Sequence, residues 1–315
     1  MYNTSMKSKK QHEPDFCSPQ YEKPQPRHAK KINHDQNPTN HLDPFQQNHP
    51  SRKSKKKGST FLIWLYRLIG LAAICVFCYA AWNLYGIWKQ DHQIKQENEA
   101  LQQYIQANEE DQTPEKEEYF TMDWEGIKAQ NSQVVAWIAI PGTDISYPIV
   151  QGEDNSYYLN HTLQGEYNDM GSIFLDTAAN PQFLDDNSII YGHSVSDIGG
   201  MFTNLEKFND QEFFDTHPYF WLMTPTQNYR VTAYVYYSGD DEGMIYTTDF
   251  GDYQKEVLQQ IQSESKYVRQ MDTQEKRFIS LSTCDLTYGF QSNQRYVLMG
   301  ALEEWNELIP LSEVK

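Results

Sequence analysis

An apolar run near the N-terminus is the feature that most constrains this chain. From Phe61 to Trp88 the sequence reads FLIWLYRLIGLAAICVFCYAAWNLYGIW, and Arg67 is its only charged residue. A helix needs about 20 apolar residues to cross the hydrocarbon core of a bilayer, and Leu68–Trp88 alone reaches that length. Aromatic residues near both ends, and an arginine able to extend toward the headgroups, are typical of membrane-spanning helices. We therefore predict a transmembrane helix over residues 61–88, with the lipid bilayer as its partner.

A cleaved signal peptide is the alternative interpretation of this run. The run is longer than the apolar core of a signal peptide, begins late in the chain and ends without a small-x-small cleavage site. A basic block, Arg52–Lys57, lies directly upstream of it. Because positively charged segments stay on the cytoplasmic side, we predict a retained single-pass anchor in the cell membrane, with a cytoplasmic N-terminus and an extracellular C-terminal domain.

The charge distribution divides the chain at the same place. Residues 1–60 contain 12 Lys and Arg against 5 Asp and Glu, a net +7, so the remaining residues carry −24 of the total of −17. The first 60 residues are also rich in Asn, Gln, His and Pro and poor in aliphatic residues, which predicts a disordered basic cytoplasmic tail. Residues 89–118 are polar and rich in Gln and Glu, which predicts a helical stalk. We predict no nucleic-acid partner.

The composition changes again at about Tyr119, where a domain over residues 119–315 is predicted to begin. Short β-prone runs separated by turn residues, such as Pro141-Gly142, are typical of a barrel or a sandwich. One segment, Asp252–Arg269, has apolar residues at helical spacing, so we predict a helix packed on a β domain. Eight strands are predicted: Val134–Ile140, Tyr147–Gln151, Ser172–Asp176, Ser188–Gly192, Tyr219–Leu222, Tyr229–Tyr237, Arg277–Thr283 and Gln294–Leu302.

Cys284 is the single cysteine of residues 119–315, so this domain cannot form an internal disulfide. Three interpretations are open: a buried bystander, an intermolecular link or a reactive thiol. The predicted strand Arg277–Thr283 leads directly into Cys284. A side chain at a strand end is held by the sheet and yet open to a ligand, as a nucleophile requires. The thiol also needs a base or a cation nearby to ionise at neutral pH.

Two further strand ends carry residues suited to this chemistry. His193 follows a predicted buried strand, whereas His92 and His217 lie in segments with ordinary structural roles, and His161 stays open as a second candidate. Arg295 opens the last predicted strand, and its fixed donors can hold a substrate carbonyl or an oxyanion. On residue type alone, the ordinary interpretations are favoured: a satisfied surface or core residue for His193, and a surface ion pair for Arg295.

Seven motifs in order and at matching spacing resemble a class B sortase from about Asp123 to Trp305. The resemblance implies a mainly β fold: an eight-stranded sortase-like barrel with N-terminal helices and an added helix before the cysteine strand. The motifs are Trp137–Thr143, Tyr147–Gly152, Asp154–His161, Gly171–Asp176, Ile190–His193, Leu281–Cys284 and Arg295–Leu298.

The resemblance also implies an activity, that of a membrane-anchored cysteine transpeptidase of Gram-positive bacteria. Cys284 would attack the Thr carbonyl of an NPQTN-like or PXTG-like sorting signal, and His193 would transfer protons to and from the amines. Arg295 would orient the substrate and stabilise the oxyanion. The implied partners are surface proteins with a C-terminal sorting signal and a peptidoglycan precursor amine. No cofactor and no metal site are implied.

Seven further residues match positions that line the substrate groove of the family. Leu159 and Tyr191 suit core packing equally well, and three roles are open for Asp285: orienting His193, lining the groove or simple solvation. The residues expected to bind substrate are Asn155, Leu159, Tyr191, Tyr246, Ser282, Thr283 and Asp285.

Three alternative functions stay open. A papain-type hydrolase would use the same residue types, but such enzymes place the cysteine before the histidine and on a helix, the reverse of the order here. A non-enzymatic exported binding module on the same scaffold would leave Cys284 inert. A pilin-polymerising sortase would differ in its acceptor amine.

Overall fold

A computed structural model describes residues 59–109, 118–195, 200–289 and 292–314 of the chain. Residues 1–58 of the predicted tail lie outside the described residues. The described chain falls into two compact units that divide between Gly86 and Ile87, within one helix.

The first helix, α1, extends from Ser59 to Leu101. Up to Gly86 its apolar side chains are exposed, and among the described residues it is the one helix long and apolar enough to cross a membrane. Exposed apolar side chains all round a helix are stable in lipid rather than in water. The structure therefore contains a candidate membrane span where the sequence predicts one.

The predicted helical stalk over residues 89–118 is helical up to Leu101 and is not a helix over Ile105–Glu109, while residues 110–117 lie outside the described residues. The chain there turns into a strand, β1 (Ile105–Glu109), which pairs antiparallel with β2 (Glu118–Met122). Ile105 and Phe120 pack into one apolar cluster, and the pairing of the two strands gives their backbone groups hydrogen-bond partners.

A closed barrel of eight strands forms the second unit, as the sequence predicts. Its neighbours pair in the order β3–β4–β5–β6–β10–β11–β8–β7, and β7 pairs with β3 to close the ring. Helix α2 (Trp124–Gln130) precedes the barrel and α3 (Gln211–Thr216) lies between β6 and β7. The strands are β3 (Val134–Ala139), β4 (Ser146–Val150), β5 (Phe174–Leu175), β6 (Asn187–Tyr191), β7 (Tyr219–Met223), β8 (Asn228–Asp240), β10 (Phe278–Cys284) and β11 (Gln294–Trp305).

Side chains along each strand point alternately to the two faces of the sheet, and both faces are buried. One apolar cluster draws residues from all eight strands, among them Ile279 and Leu281 of β10, so it fills the barrel interior. The other lies on the outer face of the barrel and includes Trp137, Tyr191 and Cys284. The last residues of the chain, up to Val314, help to cover this outer cluster. Cys284 therefore projects outward, away from the barrel interior.

The predicted helix over Asp252–Arg269 is shorter in the structure. Helix α4 spans Gln254–Glu264, and Tyr267–Val268 forms a short strand, β9, on the edge of β8. Strand β7 pairs only with the first residues of β8, so the later part of β8 offers unpaired backbone groups to this segment. Pairing with that edge satisfies more backbone hydrogen bonds than another helical turn would, because backbone polar groups near the core need partners.

Candidate active site

Three neighbouring strand ends bring the predicted catalytic residues together. Strands β6 and β10 run parallel and pair Tyr191 with Ser282, so the residue two positions beyond Tyr191, His193, comes level with Cys284. The backbone N–H of Gly192 donates to the Ser282 carbonyl (3.2 Å), which continues this register. Strands β10 and β11 pair Cys284 directly with Arg295. Since neighbouring strands lie about 4.8 Å apart, the three residues form a row across one end of the barrel.

All three side chains belong to the same face of the sheet. Tyr191 and Cys284 lie in the outer cluster, and His193 follows Tyr191 by two residues, which returns it to that face. Directly opposed residues of an antiparallel pair share a face, so Arg295 projects to the same side as Cys284. The arrangement places a thiol between an imidazole and a guanidinium.

His193 is held by a backbone carbonyl from a distant loop. Its Nε2 lies 2.7 Å from the carbonyl oxygen of Leu159. A carbonyl can only accept, so Nε2 carries the hydrogen and Nδ1 is the basic nitrogen of the neutral ring. Burial lowers the pKa of His193 below its ordinary value, and the Leu159 carbonyl and the charge of Asp169 oppose that shift. The ring is therefore neutral at physiological pH and able to accept a proton.

Arg295 is fixed by three acceptors. Its Nη1 donates to the carbonyls of Ser292 (3.0 Å) and Gln294 (3.1 Å), and its Nη2 lies 3.3 Å from Asp241 Oδ2. The side chain is buried, so this guanidinium cannot swing freely into solvent. A fixed planar donor group beside a nucleophile is the geometry that oxyanion stabilisation requires.

A buried carboxylate organises two of the predicted substrate-binding residues. Asp176 is fully buried and accepts hydrogen bonds from Asn155 Nδ2 (2.9 Å), from the Tyr191 hydroxyl (3.1 Å) and from the Ala178 backbone (2.8 Å). Sequence reasoning did not single out Asp176. The sequence does contain an indication, because Asp176 directly follows a short buried strand. A carboxylate buried there needs hydrogen-bond donors.

Most of the other predicted groove residues converge beside Cys284. Leu159 and Tyr246 pack against the outer cluster that contains Cys284. The hydroxyl of Tyr246 lies 2.9 Å from Ser282 Oγ. Leu159, Tyr246 and Ser282, from three separated segments, therefore lie on the same side of the barrel as Cys284. Among the described residues, no grouping of His, Cys, Asp and Glu has the arrangement of a metal site.

Comparison with known proteins places this geometry in a family. A family model for the sortase domain matches residues 138–303, more than half of the chain. The chain belongs to the sortase family. Sortase B of Listeria monocytogenes is 37% identical to it over 183 residues, which cover 56% of this chain and 72% of the relative.

Solved sortase B structures share the fold. Sortase B from Bacillus anthracis in complex with AAEK1 has a TM-score of 0.58 and 29% identity, covering 70% of this chain and 100% of that one. A Staphylococcus aureus sortase B–substrate complex has a TM-score of 0.53 and 28% identity, covering 57% and 84%. The predicted class B membership is confirmed, and the chain is a cysteine transpeptidase of that class.

Two residues of this sortase that were predicted to line the groove face the side of the sheet opposite Cys284. Thr283 alternates with Cys284 and faces the barrel interior, where its buried hydroxyl has no hydrogen-bond partner among the described residues. Asp285 likewise lies on the interior side, because its N–H continues the ladder by donating to Gln294 O (2.9 Å). Its carboxylate accepts from the backbone (3.0 Å) and hydroxyl (2.6 Å) of Thr287.

The structure thus gives Asp285 a different role from those the sequence left open. The residue is only 2% exposed, so simple solvation is wrong. A hydrogen bond to Asp285 adds to burial in raising the pKa of Tyr296, so the phenol stays protonated and donates to the carboxylate. Asp285 therefore closes the β10–β11 turn from the side opposite His193.

We expect Asp285→Ala to lower the free energy of unfolding while changing kcat only slightly. The loss of its buried hydrogen bonds should cost about 1–3 kcal/mol in the free energy of unfolding, because Thr287 and Tyr296 are left without an acceptor. Chemical denaturation measures this cost, and kcat measured well below the unfolding midpoint should stay within about threefold of wild type. A loss of kcat of two orders of magnitude at unchanged stability would contradict this placement.

Proposed function

We propose that this sortase is anchored in the membrane and joins surface proteins to a cell-wall precursor, with Cys284, His193 and Arg295 as its catalytic set. The observation that carries the proposal is the row of these three side chains across adjacent strand ends on one face of the barrel. Asn155, Leu159, Tyr191, Tyr246 and Ser282 would line the groove that receives the sorting signal.

In the first half-reaction, the Cys284 thiolate attacks the carbonyl carbon of the signal's Thr. An S–C bond forms and the carbonyl oxygen becomes an oxyanion, toward which Arg295 directs its donors. The C–N bond then breaks as protonated His193 gives its proton to the leaving amine. Burial favours the neutral imidazole, so His193 must take up a proton before this step.

In the second half-reaction, an amine replaces water as the nucleophile. His193, now neutral, accepts a proton from the incoming amine as its nitrogen attacks the thioester carbon. The C–S bond breaks, a peptide bond forms and the thiolate is restored. A neutral histidine with its basic Nδ1 available suits this step, and the Leu159 contact at Nε2 would keep that tautomer in place.

The membrane anchor and the acceptor belong to the same proposal. The exposed apolar part of α1 supports an anchor, and the basic block before it supports a cytoplasmic N-terminus with an extracellular catalytic domain. The solved substrate complex of the Staphylococcus aureus relative supports a peptide substrate in the groove. An amine of a peptidoglycan precursor would then accept the Thr acyl group.

The test uses the full chain in detergent micelles with NPQTN-like and PXTG-like peptides, each with and without triglycine. We expect one peptide class to give a Thr–Gly ligation product that depends on triglycine. Cleavage that stays hydrolytic with triglycine present would favour the hydrolase alternative. The absence of turnover, together with a Cys284 that alkylates no faster than an ordinary thiol, would favour the inert binding module.

The role proposed for Arg295 gives a separate prediction. Lysine keeps the positive charge but cannot reach Ser292, Gln294 and Asp241 with one planar group, so Arg295→Lys should lower kcat by roughly 10²–10³-fold. KM should change far less, because the lost interaction forms mainly in the transition state. Steady-state kinetics measure both constants.

Arg230→Lys is the matched control for Arg295→Lys. Arg230 is half-buried, pairs with Glu303 (2.8 Å) and packs over Trp305, but it lies at the opposite end of β8 and β11. We expect near-wild-type kcat for this variant. Equal losses in the two variants would mean that Arg295 acts through stability alone.

A further inference from the structure

The part of α1 that follows Gly86 belongs to the unit that contains the candidate active site and packs against its barrel. Ile94 and Leu101 are 6% and 4% exposed, because they insert into the apolar clusters of the barrel unit. Positions 90, 93, 94, 97 and 101 share one side of the helix, the spacing that an amphipathic contact requires. Gln90 lies two residues after the end of the apolar run, which is the candidate membrane span.

Polar groups on this side of the helix all contact one loop, which we call the 159–172 loop. Gln90 Nε2 donates to Asp169 Oδ2 (3.1 Å), and the Gln90 carbonyl accepts from Asn168 Nδ2 (3.1 Å). Gln93 Nε2 donates to Glu166. One turn further on, Glu97 accepts from the backbone of Gln164 (3.2 Å), and burial raises the pKa of this carboxyl.

The 159–172 loop is tied together by its own backbone. The chain runs out along one limb of the loop and returns along the other. In the returning limb, the backbone N–H of Asn168 donates to the Asn160 carbonyl and that of Ser172 to the Tyr158 carbonyl, both at 2.9 Å. Gly171 has a φ of +57°, and a Cβ built there would lie 2.2 Å from the Tyr158 carbonyl oxygen. Because the two limbs are this close, a displacement of the limb bound by α1 is transmitted to the limb that carries Leu159.

The limb that carries Leu159 is the one that contacts the catalytic histidine. The Leu159 carbonyl lies 2.7 Å from His193 Nε2. The titratable and charged groups around His193 are Asp169, from the 159–172 loop, and Cys284 and Arg295 on the neighbouring strand ends. An uninterrupted series of contacts therefore joins Gln90 and Gln93 to the imidazole.

We propose that the Gln90–Glu97 segment of α1 is a positioning clamp: it fixes the 159–172 loop and, through Leu159, orients His193 for proton transfer. The inference rests on the proposed function, in which His193 moves protons. It makes the residues directly following the candidate membrane span a determinant of turnover, in addition to their part in holding the barrel unit together.

The test compares helix variants of the full chain in detergent micelles. The double variant Gln90→Ala/Gln93→Ala removes the contacts to Asp169 and Glu166 while the apolar Ile94 stays in place. We expect kcat to fall roughly tenfold with KM within about twofold, because a catalytic group displaced by less than 1 Å already loses much of its advantage. The pH profile of kcat should shift as well, which a purely structural role would not cause.

Two further variants define the control and the rescue. Lys95→Ala alters the same helix but only its solvent side, since Lys95 is 56% exposed and pairs with Asp91 within the helix. It should match wild type. Gln93→Lys in the Gln90→Ala background places an ammonium donor beside Glu166, and it should recover most of the lost kcat.

Hydrogen exchange decides the structural half of the inference without any substrate. Residues 159–172 and the peptide containing His193 should exchange faster in the double variant than in Lys95→Ala. Equal kcat, equal pH profiles or equal exchange in these two variants would overturn the clamp. An inactive wild type would contradict the proposed function instead, and the exchange comparison would still show whether the helix holds the loop.

Discussion

Replacing Cys284 by alanine is expected to reduce transpeptidation by roughly three orders of magnitude or more, because it removes the thiol that is proposed to form the acyl intermediate. The neighbouring hydroxyls cannot substitute for it. Ser282 is paired with the Tyr246 hydroxyl, and Thr283 faces the barrel interior. Ligation of a sorting peptide to triglycine, followed by chromatography, measures the loss.

The control for Cys284→Ala removes every other thiol instead. Cys75 and Cys78 are exposed in the apolar part of α1 and Cys17 lies in the tail, so none of them is a barrel residue. The triple variant Cys17→Ala/Cys75→Ala/Cys78→Ala should keep near-wild-type activity. A triple variant that loses activity, or a Cys284→Ala variant that retains it, would place the nucleophile elsewhere.

His193→Ala is expected to show the second largest loss, roughly 10²–10⁴-fold in kcat/KM. The leaving amine must be protonated before the C–N bond can break, and alanine offers no proton. The pH dependence should change with it: in the variant only the ionisation of the thiol remains, so activity should rise with pH along a single limb. Steady-state rates between about pH 5 and pH 9 measure this change.

His217→Ala is the matched histidine control. His217 stacks on Phe213 (ring centroids 3.7 Å apart) and its Nδ1 lies 2.9 Å from the Phe213 carbonyl, contacts that belong to helix α3. We expect this variant to lose some stability and to keep the wild-type shape of the pH profile. If His217→Ala alters the pH profile in the same way as His193→Ala, the altered profile is not evidence for a catalytic role of His193.

The sequence predicted the barrel strands well, because alternation and turn residues act locally. All eight predicted strands overlap a strand of the structure, although Ser172–Asp176 shrinks to Phe174–Leu175. The differences come from pairing at a distance. Ile105 leaves a helical context because Phe120 offers a partner strand and a shared cluster, and Tyr267 leaves α4 because β8 has a free edge.

The row of Cys284, His193 and Arg295 was predictable because its members stand at strand ends within recognisable motifs. Asp176 was not, since its importance arises only when Asn155 and Tyr191 converge on it. The orientation of Asp285 could have been predicted, because adjacent residues of an extended strand project to opposite sides. The contact of Gln90 with Asp169 spans 79 positions, and no local pattern indicates it.

The measurement that tests the central claim most directly is the intact mass of the full chain after mixing with a sorting peptide in the absence of an amine. We predict a mass gain equal to the peptide fragment ending at Thr, located on the proteolytic fragment that contains Cys284 and released when triglycine is added. Ligation without any such adduct, or an adduct on a residue other than Cys284, would contradict the proposed mechanism.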